Sequence, residues 1–307
     1  MTRALVQSLP QPRRATLLLA AWVVTLLISL LPDVLWREFQ IGDAAQLFWA
    51  KIALLGLGVI LTFFWRDVRS FRLYFIVFLV LYLAERVSSW IGGTPFWKSY
   101  FPTGASFTNE LLGFQLLRFG VALVMVIAML VLKRRRNEFF LVRGDTDAPV
   151  APVRWLGIDE TARWKRLGWI LAMVLPLGTL AFILLAGRPS MEAVTGAAPL
   201  LPAVLLFAAM NAFSEEMSYR APQLATTHEV IGKDQSILLA AAFFGIGHFY
   251  GVPYGLVGVV MSGFLGWLLG KSMLETKGFF WPWFIHFTQD VVIFTFLGIG
   301  SITAGGV

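Results

Sequence analysis

The chain has 307 residues, of which 58% are hydrophobic, 15% aromatic and only 14% charged, with a mean hydropathy of +0.74. Soluble domains are about 45–50% apolar and about 25% charged, so these values exclude an ordinary soluble domain and predict an all-α, polytopic transmembrane helix bundle. The net charge is +7, but the Lys and Arg sit in short segments beside apolar runs. They set orientation in lipid and predict no nucleic-acid partner.

There is no cysteine, which removes disulfides, thiolate metal sites and a cysteine nucleophile. The three histidines are His228, His248 and His286, so any imidazole chemistry belongs to them.

The N-terminus carries Arg3, Arg13 and Arg14 ahead of an apolar run over 15–31. The run is long, and Pro32-Asp33-Val34 offers no small-x-small cleavage site, so it reads as an uncleaved first span. Apolar runs near the ~20 residues a bilayer requires recur at about 15–36, 44–65, 72–92, 111–132, 167–187, 197–222, 236–250, 254–274 and 279–299. The seventh is short and ends in glycines, so it reads as a partial span, giving about eight to nine in all.

Charge alternates between the loops. Residues 33–43 carry Asp33, Glu38 and Asp43, the next turn carries Arg66, Arg69 and Arg72, and 133–166 is strongly basic. The positive-inside rule puts the N-terminus and 133–166 in the cytoplasm. The expected organisation is four spans of unknown role over 1–136, a cytoplasmic basic linker over 137–166, and a C-terminal core over 167–307. Lys51, Glu85, Arg86 and Arg118 lie in or near the leading spans. A structural ion pair, such as Glu85 with Arg118, or snorkelling accounts for them. In the eighth span Ser262, Gly266 and Gly270 recur at i, i+4 and i+8, a face that lets another backbone approach closely.

The chemistry is concentrated from Phe207 to Arg220, where an apolar helix runs into Glu215 and Glu216. Intramembrane carboxylates are expensive and mark functional sites. Glu216 and Arg220 are i and i+4 and can pair, whereas Glu215 points about 100° away, without that partner. Asn211 and Glu215 share a face that Tyr219 continues. Phe244 and His248 are i and i+4 on the seventh segment, as are His286 and Asp290 on the ninth. The expectation is that Glu215, His248 and His286 come within about 10 Å of one another in a water-reachable cavity. A carboxylate beside an imidazole can take a proton from water, and a second imidazole can donate to the oxyanion formed at a carbonyl. The same Glu215, His248 and His286 can alternatively hold a divalent metal such as zinc. His228, in Thr226-Thr227-His228-Glu229, reads as solvated in a polar loop.

Glu215-Glu216-x-x-x-Arg220, Phe244-x-x-x-His248 and His286-x-x-x-Asp290 resemble the three motifs of the CPBP family, the CAAX proteases and bacteriocin-processing enzymes also called Abi proteins. The similarity extends over about 165–300 and includes Gly266-Trp267-Leu268, Thr276-Lys277-Gly278 and Trp281-Pro282. The resemblance implies an intramembrane endopeptidase, in which Glu215 and His248 activate water. His286 and Asp290 form the oxyanion site, with Glu216 and Arg220 in support. The family pattern has Asn or Asp at position 290. An ionised Asp290 repels an oxyanion, so it is either protonated or orients His286. The family is often labelled metalloprotease, and a metal-free glutamate mechanism has also been argued. A prokaryotic-type relative in a cytoplasmic membrane is expected to cut a peptide, leader or membrane protein. A proton-coupled transporter is the competing reading of buried Glu, His and Asp, against which no inverted repeat is visible; a non-catalytic scaffold of the same fold is the third.

Overall fold

The computed structural model describes residues 11–304, so Arg3 of the basic N-terminal segment lies outside the described residues. The helices are α1 (Gln11–Ile28), α2 (Leu31–Glu38), α3 (Ala45–Phe64), α4 (Arg72–Gly93), α5 (Pro95–Tyr100), α6 (Phe107–Val131), α7 (Trp164–Gly187), α8 (Met191–Ala197), α9 (Leu201–Glu215), α10 (Ala221–Ile231), α11 (Lys233–Gly247), α12 (Leu256–Thr276) and α13 (Phe280–Ala304). A π-helical turn, Glu216–Arg220, joins α9 to α10. Among the described residues no strand forms, as expected for a bilayer-spanning chain that must satisfy its backbone internally.

Seven helical runs are long and apolar enough to cross a membrane, or eight if α1 and α2, bent by 50°, count as one span. The chain is an integral membrane protein, and the expected eight to nine spans are met at the lower end. The 236–250 candidate, read as a partial span, is not among them: α11 has 15 residues, about 22 Å, short of a ~30 Å hydrocarbon core.

The chain divides into two compact units. The first takes 11–83, 125–141 and 218–274; the second takes 84–124, 142–217 and 275–304.

In the first unit, the break between α1 and α2 frees carbonyls that side chains satisfy. Tyr82 donates to the Ile28 carbonyl, and Lys51 Nζ donates to the Ser29 carbonyl at 2.6 Å while pairing with Asp33. Lys51 is thus the structural ion pair its sequence position suggested. Phe71, Tyr74 and Phe78 form an aromatic row in this unit, with Tyr74 Oη 2.7 Å from Thr25 Oγ1. Gly232, at φ +90°, ends α10 and lets the chain turn into α11. The small-residue face of α12 is used as its composition implied. A Cβ on Gly245 of α11 would lie 2.6 Å from the Val259 carbonyl oxygen, and one on Gly266 would lie 3.4 Å from Arg220 Nη2.

In the second unit, α9 packs on α13 through Val204, Phe207, Ala208 and Phe294. Trp283 Nε1 also donates to the Ala209 carbonyl at 3.2 Å. On α7, Thr179 receives Gln289 Nε2 at 2.5 Å, and Trp169 packs edge-on against Trp281 and Phe284. The basic segment ahead of α7 bonds to the residues at the start of α13. Asp145 N donates to the Thr276 carbonyl at 2.8 Å, and Phe279 N to Val142 at 2.8 Å. Trp281 Nε1 donates to the Thr146 carbonyl at 2.8 Å, and Trp164 Nε1 to Glu275 at 2.8 Å. This clasp fixes the start of α13, the helix that carries His286.

Candidate active site

The site in the second unit follows from two helices with the same polar spacing. On α9, Asn211 and Glu215 are i and i+4; on α13, His286 and Asp290 are i and i+4. The α9–α13 packing sets the two polar pairs against each other, and all four residues are buried.

His286 sits at the centre. Its Nδ1 lies 2.9 Å from Glu216 Oε1. Its Nε2 lies 3.4 Å from Glu215 Oε2 and 3.7 Å from Asp290 Oδ2. Adjacent carboxylates therefore reach opposite nitrogens of one ring. They can do so because Glu215 ends α9 while Glu216 begins the π turn, at a change of helical winding. Asp290 Oδ2 also accepts from Asn211 Nδ2 at 3.0 Å.

A third helix completes the cluster. Arg118 of α6 donates through Nη2 to Glu215 Oε1 at 2.6 Å, and Gln115, one turn earlier, donates to Asn211 Oδ1 at 3.4 Å. Glu215, which the sequence left without a partner, is thus paired with a cation. Its partner is Arg118, a residue read from the sequence as part of a structural ion pair. Three carboxylates around one imidazole are too costly to bury without a compensating charge, and the guanidinium supplies one. Arg118 and Gln115 were missed as site residues, although their signal was present: two polar side chains at i and i+3 on an apolar span share a face.

The remaining candidates lie in the first unit. His248 caps α11 and is partly buried, with Nδ1 2.8 Å from the Phe244 carbonyl and its ring 4.4 Å from that of Phe244. A carbonyl only accepts, so Nδ1 carries the hydrogen and Nε2 of the neutral ring is the basic nitrogen. Arg220 is fully buried, with its guanidinium 4.5 Å from the Phe244 ring centroid. His228 is corrected: it lies on helix α10 between buried Thr227 and Ile231, with Nδ1 2.7 Å from the Leu224 carbonyl, not in a solvated loop.

Among the described residues no three His, Asp or Glu side chains are grouped so as to hold a metal ion. Glu215 already carries a guanidinium on one oxygen, and His286 Nδ1 is engaged by Glu216. The chemistry below uses the protein's own groups.

The fold and the site define a class: a helical integral membrane protein with a carboxylate–imidazole cluster enclosed among its apolar helices. Residues 197–292 match a protein-family model, Rce1-like, described as type II CAAX prenyl endopeptidase Rce1-like. The resemblance read from the three motifs is borne out over that stretch. It holds Asn211, Glu215, Glu216, Arg220, Phe244, His248, His286 and Asp290, whereas Gln115 and Arg118 lie outside it. The match supports intramembrane protease activity of the CAAX endopeptidase type. No curated protein and no solved structure matches the chain.

Proposed function

We propose that the protein is an intramembrane endopeptidase that hydrolyses a peptide bond of a membrane-associated protein or peptide, with Glu215 as the general base. The observation that carries this reading is the enclosure of Glu215 and His286 together, 3.4 Å apart, on two apolar helices of a stretch that matches a CAAX endopeptidase family. A carboxylate held at that range from an imidazole is equipped to take a proton from a water attacking an amide carbonyl. The motif resemblance gives His248, which the family-matched stretch includes, the role of a second group on that water.

His286 is assigned to the oxyanion. Its Nδ1 serves Glu216, so donation from Nε2 requires a hydrogen on both nitrogens. Such an imidazolium has Glu216, Glu215 and Asp290 within 3.7 Å to balance its charge. Asp290, bonded to Asn211, orients the ring rather than meeting the oxyanion itself. Glu216 holds the ring from the other side, and Arg220 and Phe244 support the His248 helix.

The test is cleavage of a farnesylated, internally quenched CAAX peptide, and of a panel of transmembrane peptides, by the protein in lipid nanodiscs. Release of a new amine terminus by the wild type, lost in Glu215→Gln with the protein still folded, is the expected result. Wild-type protein that leaves every peptide intact, or Glu215→Gln protein that cuts as fast as wild type, overturns the reading.

A further inference from the structure

We propose that Arg118, on a helix outside the family-matched stretch, is a positioning residue that determines which way the Glu215 carboxylate faces. The inference rests on the reading of Glu215 as the base. A glutamate's terminal torsion is broad and two-fold, so on its own the carboxylate plane is poorly fixed. Here each oxygen has a distinct partner: Oε1 takes Arg118 Nη2 at 2.6 Å, and Oε2 faces His286 Nε2 at 3.4 Å. A planar, always-charged guanidinium imposes orientation on a carboxylate in a way a point charge does not.

Arg118 is itself steadied. Its guanidinium lies 5.3 Å from the ring centroid of Phe114, one turn back on α6. Gln115 ties the same helix to Asn211, and Asn211 to Asp290. One face of α6 thus fixes both carboxylates that look at His286 Nε2. Removing the guanidinium leaves Glu215 beside Glu216 and Asp290 without that counter-charge, and like charges turn the carboxylate away from the imidazole. The active site, on this account, is not contained in 197–292. The α6 helix completes it.

The experiment compares Arg118→Met and Arg118→Lys with wild type in nanodiscs, using the farnesylated quenched peptide. Arg118→Met is expected to lower kcat by about 100-fold, the scale of a roughly 1 Å misplacement, with KM within about 2-fold of wild type. Arg118→Lys is expected to recover part of kcat. An Arg118→Met enzyme with wild-type kcat, or one changed only in KM, overturns the proposal. A second measurement does not depend on cleavage: the melting temperatures of Arg118→Met, Glu215→Gln and the double variant. A double variant no worse than the poorer single one supports the pair, and additive losses overturn it. Peptides left uncut by wild type would sink the protease reading, while the melting cycle would still decide whether Arg118 holds Glu215.

Discussion

At His286 the two ring nitrogens face different carboxylates, and each makes its own prediction. Glu216 lies 2.9 Å from Nδ1 and is fully buried, so Glu216→Gln keeps an acceptor there but loses the charge. Turnover of the quenched peptide should fall by about 10- to 100-fold, the usual range for a residue that orients a working histidine. His286→Ala removes the group facing three carboxylates. Stripping one partner from a buried ionic cluster costs about 3–5 kcal/mol, so this variant should lose both cleavage and a large part of its thermal stability. Glu215→Gln, nearly isosteric, should separate the two effects: peptide release drops by about 100- to 10,000-fold, the contribution of a general base, while the melting temperature falls measurably but by less than in His286→Ala. If Glu215→Gln melted as early as His286→Ala, the carboxylate would be structural.

At the level of elements, the site depends on how α13 is seated. Gly168 on α7 leaves room for the Trp281 ring; a Cβ there would stand 2.3 Å from it. Gly168→Leu therefore overpacks the contact by about 1–3 kcal/mol and should lower the melting temperature measurably. Because Trp281 precedes His286 on the same helix, cleavage should fall with it. Gly144 has two constraints at once, a φ of +75° and Gly278 Cα only 2.6 Å from where a Cβ would be. Gly144→Val should loosen the clasp at the start of α13, read as faster hydrogen exchange at Asp145 and Phe279, whose backbone amides make two of the clasping bonds. Unchanged exchange at both would show that the clasp does not depend on the glycine. The motif-bearing helices were legible in the sequence because polar residues at i and i+4 on an apolar run are conspicuous. The winding change at Glu216 was overlooked, although Pro222, which has no N–H for the Ser218 carbonyl, stands just beyond it.

For the whole molecule, lipid is part of the fold. Along the apolar stretches of the candidate spans only 17–44% of residues are buried in protein, and large side chains such as Leu177, Leu185 and Phe64 are exposed. That apolar surface is far beyond what a water-soluble protein leaves open, so it faces hydrocarbon. Alkaline carbonate washing should leave the protein in the membrane pellet, and detergent should release it. Recovery in the carbonate supernatant would contradict an integral membrane protein.

Hydropathy alone determined that this chain lives in a bilayer, because ~20-residue apolar runs have no other stable environment, and it located the acidic pair and both motif histidines by their cost there. Local spacing also paired Asn211 with Glu215 and His286 with Asp290, since helical periodicity is a property of the chain itself. What it left open were relations between helices. Arg118 binding Glu215, Gln115 binding Asn211 and Glu216 reaching His286 Nδ1 join residues 70 to 97 positions apart. Such partners are chosen by packing, which decides which faces meet and which buried charge finds its counter-charge; no pattern within a single helix carries that information.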